Sequence, residues 1–390
     1  MPDPVSRRAF MARSGLIGCS LAASPLLTPL SFAAAPWDTR LVVIILRGGM
    51  DGLDVVQPYG DPTFAGLRGS LSGGPDAGAH DLDGYFALHP RLAGLLPMWQ
   101  AGQLAFVNAV STPYRDKRSH FDGQDLLEAG TSSLAGVRDG WLNRMLQTVP
   151  DVSGQTAYAI GRSGMRLMSG AADVSNWSPD ADLTLSPQAE ALLALVTESD
   201  PALHAALAEA NILAKDSAEG QSRGTPYHLA IAKFAARQLS DQARIASFSL
   251  NGWDSHRGQR RVLGNALERL ADTIVALKNG MTDTVWGKTA VVAMTEFGRT
   301  VRENGTQGTD HGTGGLMLLA GGAVRGGRVY GQWPGLGEGD LYQDRDLMPT
   351  TDVRAHTAWI MRGLMGLDRT TLEGSVFPGV ALGPDLGLLL

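Results

Sequence analysis

The sequence predicts an α/β protein with a mainly parallel central sheet flanked by helices, and two observations carry that expectation. Short apolar runs bounded by charge or glycine recur along the chain, as in "RLVVIILRGG" at 40–49, and strands buried on both faces have this composition. Between them lie stretches with apolar residues every three or four positions, the alternation expected of strand–helix–strand units. The 390 residues, 44% hydrophobic and 18% charged, are enough to bury a large core.

The first segment, residues 1–35, reads as an export signal. Arg7 and Arg8 in "SRRAF" precede an apolar stretch that ends in the small residues of "SFAAAPW", the layout of a twin-arginine signal peptide. Ser24, Pro25, Thr28 and Pro29 break the stretch too often for a membrane span. The expected location is periplasmic or secreted. Cys19, the single cysteine, lies in this segment, so residues 36–390, read as one domain, have no disulfide to draw on. "LIGC" at 16–19 also matches a lipoprotein box, which would make Cys19 a lipid anchor. Removing residues 1–35 takes away three arginines and one aspartate and moves the formal net charge from −6 to −8. An acidic chain without a basic run excludes nucleic acid as its main partner. Nothing in the sequence sets the oligomeric state.

The expected strands are 41–46, 104–110, 244–250, 289–295 and 315–322. Leu92, Leu95, Leu96, Met98 and Trp99 have helical spacing and stop at Gly102, and a second helix runs from an N-cap at Ser119 to Gly130. Residues 187–245 are mostly helical in composition. Val262, Leu263, Leu267, Leu270, Ile274 and Leu277 mark the clearest amphipathic helix.

In a parallel sheet, ligands bind beyond the carboxyl ends of the strands. Asp51 follows the first strand, Asp254 and His256 follow the run at 244–250, and Glu296 follows the run at 289–295, with Asp310 and His311 close behind. Carboxylate oxygens mixed with imidazole nitrogens suit zinc, manganese or iron better than calcium, and one or two divalent ions are expected. The alternative is that these are turn-forming aspartates and capping histidines. His80, His89, His204, His228 and His356 are expected to be solvated or satisfied in the core. Ser119 is a candidate nucleophile at a helix start, with Arg115 and Arg118 as partners for an oxyanion. A plain N-cap is the competing role for Ser119, and His120 and Asp122 are open as ligands or as support for ligands.

Six blocks in order, "LRGGMDGLDVVQPYGDP", "LHPRLAGLLPMWQAGQLAFVNAV", "RSHFDGQDLLEAG", "GWDSHRGQ", "TEFGRTVRENGTQGTDHGTGG" and "GRVYGQWPGL", resemble domain-of-unknown-function family 1501. That family in turn resembles a branch of the alkaline phosphatase and sulfatase superfamily. The resemblance implies an exported, metal-dependent hydrolase of small-molecule or glycan phosphate or sulfate esters. Ser119 would be its nucleophile, and Asp51, Asp254, His256, Glu296, Asp310 and His311 would hold metal. Two departures from the superfamily pattern stand out. Glu296-Phe297 replaces an Asp-His pair, and the interval from Asp254 to His256 is short. They motivate a second expectation, a non-catalytic exported binding protein on the same fold with a degenerate metal site.

Overall fold

Strand β1, Arg40–Arg47, runs through the middle of the molecule because its six central residues, Leu41 to Leu46, are fully buried. Side chains alternate across a strand. Val42, Ile44 and Leu46 therefore enter one core layer, and Leu41, Val43 and Ile45 enter the layer on the opposite face. Burying each contributes about 1.5–3 kcal/mol.

A computed structural model describes residues 35–390 apart from 72, 151, 163, 180–191, 194–195 and 198–223. Arg7, Arg8, Cys19, His204 and most of the helical stretch expected at 187–245 lie outside the described residues. Ala35–Leu390 forms one compact unit.

The remaining strands of the nine-stranded sheet are β2 Leu104–Ser111, β3 Ala157–Ile160, β4 Ser175–Trp177, β5 Ile245–Asn251, β6 Thr289–Met294, β7 Gly315–Ala320, β8 Arg328–Tyr330 and β9 Thr351–Asp352. Their order is β8-β2-β7-β6-β1-β5-β3-β4, with β9 also beside β2. β1 pairs in parallel with β5, through Leu41↔Ile245, and with β6, through Leu41↔Ala290. Only β7 runs against its neighbours β2 and β6. The carboxyl ends of β1, β2, β5 and β6 consequently share one rim. The segment 295–314 stays at that rim and feeds β7 back down the sheet.

One face is covered by α3 (Tyr227–Ser240) and α4 (Gln259–Asn279), the other by α2 (Trp141–Gln147) and α5 (Val353–Met365). In α4 the spaced residues Leu263, Leu267, Leu270, Ile274 and Leu277 are buried, and Val262 lies half-buried at the edge of the stripe. Helix α1, His120–Ala129, starts at Ser119, whose hydroxyl accepts from the Asp122 N–H, and stops at Gly130 in the left-handed conformation. The spacing expected to give a helix over 92–99 gives 3₁₀ turns at Pro90–Leu95 and then a short α-helix, Leu96–Gln100. Among the described residues, no helix is long and apolar enough to cross a membrane.

Candidate metal centre

Three strand-end loops and the start of α1 meet at this rim. β1 leaves through Gly48, at φ +128°, where a Cβ would lie 2.5 Å from the backbone N of Asp254. Only glycine lets the loops after β1 and β5 approach so closely. The Gly48 N–H donates to Glu296 Oε1 at 2.9 Å, which ties the loop after β6 to the same point.

Glu296 is fully buried and serves as a hub of acceptors. Its Oε1 also accepts from His120 Nδ1 at 2.8 Å and Gln124 Nε2 at 3.0 Å, and its Oε2 accepts from Thr295 Oγ1 at 3.0 Å. Burial pushes this carboxyl up, but the bonds from His120 and Gln124 outweigh it and hold the group below the usual range. The same bond raises the His120 imidazole against its own burial.

Each histidine at the rim has its Nδ1 facing an acceptor. His120 faces Glu296, His256 faces Asp310 Oδ1 at 2.8 Å, and His311 faces the Arg118 carbonyl at 3.1 Å. With the proton assigned to Nδ1 in each ring, all three Nε2 atoms point inward as lone pairs. His256 Nε2 and His311 Nε2 then lie 2.9 Å apart with no proton between them. Among the described residues the buried His120 Nε2 makes no hydrogen bond, and it stands 3.4 Å from Asp254 Oδ2. Asp254 Oδ1 is 3.1 Å from His256 Nε2 and 3.4 Å from His311 Nε2. Ligand atoms of His120, Asp254 and His311 all lie within 4.8 Å of one another. Burial, aided by Arg299 and the two neighbouring histidines, lowers His311 to about 4, so its nitrogen stays unprotonated at neutral pH.

The structure brings Asp254, His256 and His311 together and adds His120, which the sequence left open between ligand and support. The other expected ligands stand elsewhere. Asp51 is buried against Arg68, with Arg68 Nη2 3.0 Å from its Oδ1, Arg68 Nη1 on its Oδ2, and Gln259 Nε2 donating to Oδ2 at 2.6 Å. With both oxygens engaged by a guanidinium and an amide, Asp51 does not join the cluster. Glu296 and Asp310 stand behind His120 and His256, each carboxylate against a ring Nδ1, and neither belongs to the His120, Asp254 and His311 cluster. Phe297, at the position where the superfamily pattern has a ligand, forms a wall, with ring centroids 5.1 Å from His120 and 4.9 Å from His311. Arg115 is turned back on its own loop, bonding Ser111 Oγ and the Tyr114 carbonyl at 2.8 Å each. Arg118 is exposed, and Ser119 is half-buried in its capping role.

Sequence reasoning missed Arg68 and Arg299. The Arg299 guanidinium, fully buried, donates to the carbonyls of Gly48 and Gly49 at 2.6 Å, of Thr309 at 3.0 Å and of Trp253 at 3.3 Å, and to Asp254 Oδ1 at 2.6 Å. Burial pushes the Asp254 carboxyl up, but Arg299 outweighs it and holds the group ionised. The available signal was an arginine in a glycine-rich segment directly after a buried strand.

Fold and rim together define an α/β protein with a histidine- and aspartate-lined centre at the carboxyl ends of its parallel strands. The family model described as "Protein of unknown function (DUF1501)" matches residues 109–376, and the chain belongs to that family. No curated protein matches the sequence. Among solved structures, the chain is similar to the C-terminal periplasmic domain of EcEptC from Escherichia coli, at 12% identity over 89% of this chain and 88% of that one, with a TM-score of 0.41. It is also similar to the lipoteichoic acid synthase LtaP from Listeria monocytogenes, at 8% identity over 88% and 75%, with a TM-score of 0.37. A third is a protein in the alkaline phosphatase superfamily from Vibrio parahaemolyticus, at 10% identity over 80% and 69%, with a TM-score of 0.33.

Proposed function

We propose that this chain is an exported hydrolase of phosphate or sulfate esters that works with a single divalent ion. The observation that carries the reading is the convergence of three imidazole Nε2 atoms on Asp254, one of them buried without a hydrogen bond and two of them 2.9 Å apart. The donor set fits an ion. Nitrogen and oxygen donors in this number suit zinc, manganese or iron, and each ring is oriented from behind as metal-bound histidines are. His120, Asp254, His256 and His311 would hold it, and when bound it would supply positive charge to polarise the ester and stabilise the developing anion. One ion suffices here, because Arg68 and Arg299 already neutralise Asp51 and one oxygen of Asp254.

Ser119 is the proposed nucleophile. It caps the helix that carries His120, and the Asp122 N–H donates to its Oγ at 3.3 Å, leaving the hydroxyl proton free to be lost. Attack forms a bond from Oγ to phosphorus or sulfur and breaks the ester bond. The serine proton passes to water, and the departing alkoxide takes one from water; a second water then attacks the phosphorus or sulfur, breaks its bond to Oγ, and releases phosphate or sulfate as the serine oxygen regains a proton. The substrate class is a small-molecule or glycan ester.

The test is elemental analysis of the purified chain with turnover of aryl phosphates and aryl sulfates. About one transition-metal ion per chain, lost in His120→Ala, together with turnover lost in Ser119→Ala, is the expected result. Absence of stoichiometric metal would sink the reading. Metal without turnover would favour a binding protein on the same fold, a reading that the wall formed by Phe297 supports.

A further inference from the structure

Beside the metal centre lies a small cleft of about 150 Å³, bordered by His311, Lys117, Arg118 and Arg345. It opens between the loop that enters α1 and the loop before β9. Asp116 clasps the two loops, its Oδ1 accepting from Gln343 Nε2 at 2.7 Å and from Tyr342 Oη at 3.2 Å. Asp116, Gln343 and Asp344 all have φ between 52° and 56°. Side chains adopt that conformation at a cost of about 1–3 kcal/mol each, so the clasp holds the walls in a shape the loops would not take unaided.

The charges in this cleft are unevenly committed. Asp116 is taken by the clasp, and Asp346 accepts from Thr313 Oγ1 at 2.9 Å and Arg345 Nη2 at 3.0 Å. Arg345 also donates to the His311 carbonyl at 3.0 Å, which fixes the cleft to the metal centre. The ammonium of Lys117 and the guanidinium of Arg118, both exposed, make no hydrogen bond or ion pair among the described residues. Drug-sized ligands occupy pockets of ~300–1,000 Å³. This cleft has room for one small oxyanion and little else.

We infer that the cleft is a second-anion subsite, so that the preferred substrate carries a further phosphate, sulfate or carboxylate group beside the ester held at the metal centre. The inference rests on the ester-hydrolase reading for the first site and names its substrate class. Lys117 and Arg118 supply the uncommitted charge, Arg345 anchors the cleft to His311, and the clasp keeps the distance between the two anions fixed.

The test uses the full chain and two non-hydrolysable probes, phenylphosphonate and 4-carboxyphenylphosphonate, with dissociation constants read by calorimetry at low and high salt. Metal content of the same samples is measured separately and judges the ion reading by itself. The wild type should bind the carboxylated probe roughly fivefold tighter than phenylphosphonate at low salt, and the preference should shrink as salt screens exposed charge. In Lys117→Ala/Arg118→Ala the ratio should fall to near unity. The Arg118 carbonyl that accepts from His311 is retained in this variant. Lys117→Arg should keep the preference, which a purely structural role for that loop would not predict. Equal affinity of the two probes in the wild type overturns the subsite, as does a ratio unchanged in the double variant, whatever the metal content.

Discussion

Glu296 illustrates how a residue type can be read correctly in its chemistry and incorrectly in its layer. A carboxylate just past a buried strand belongs to the rim, and the sequence says so. What it meets there is His120, whose Nδ1 lies 2.8 Å away and which comes from the start of α1, after β2 and far from Glu296 in sequence. Asp51 shows the same limit. Its partner Arg68 lies in a short helix with no pattern to mark it as buried, yet Arg68 is fully enclosed. Glu296→Gln keeps the size and one acceptor while removing the charge that holds the His120 ring. Supporting groups of this kind contribute about 10–100-fold to metal affinity. A chelator-competition titration of Glu296→Gln should therefore show metal binding weakened by about tenfold or more, with the circular dichroism spectrum unchanged. Retained affinity would mean that Glu296 does not orient the ring.

The long strands were legible because each is buried on both faces and reads as a continuous apolar run, and α4 was legible from its spacing. β3, β4, β8 and β9 were not, since runs of two to four residues carry no period of their own and are strands only because β2, β3 or β5 offers an edge. The segment between β6 and β7 is held by Arg299 rather than by any regular structure. Leaving buried carbonyl acceptors without a donor costs about 1–3 kcal/mol. Arg299→Met should lower the free energy of unfolding by about that amount in a urea titration, and Arg299→Lys should fail to restore it, because a lysine lacks the fork that reaches five acceptors.

Helix α5 carries a different liability. His356 is buried, its Nδ1 is without a partner and its Nε2 faces Thr351 Oγ1 at 2.9 Å. Burial, opposed by Asp352, lowers its folded value from 6.5 to about 4. The unfolded chain takes up that proton near pH 6.5 and the folded chain only near pH 4. The contribution is thus fully present above pH 6.5 and is lost as pH falls toward 4, by about 3 kcal/mol in all. His356→Gln should reduce the acid dependence of stability across that window, measured by urea titrations at pH 7 and pH 4.5. An unchanged slope would assign the acid sensitivity to other groups.

For the molecule as a whole, the sheet and its rim followed from the alternation of elements, while the buried arginines that organise the rim did not. Two buried arginines settle much of the charge at the rim, and neither announces itself in composition. Residues 1–35 raise a separate expectation. If they direct twin-arginine export, Arg7→Lys/Arg8→Lys should leave the full-length precursor in the cytoplasm on cell fractionation, and continued appearance outside would exclude that route.

The reversed strand β7 has a consequence for how the chain reaches its native state. Because 295–314 turns back at the rim, His311 is set in place only when β7 inserts between β6, which directly precedes it in the chain, and β2, which lies far upstream at Leu104–Ser111. Pairings so distant along the chain form slowly. The centre is therefore a late product of folding, and capture of an ion would report that the sheet has closed and then trap it in that state, since a ligand that binds only the folded form adds to its stability.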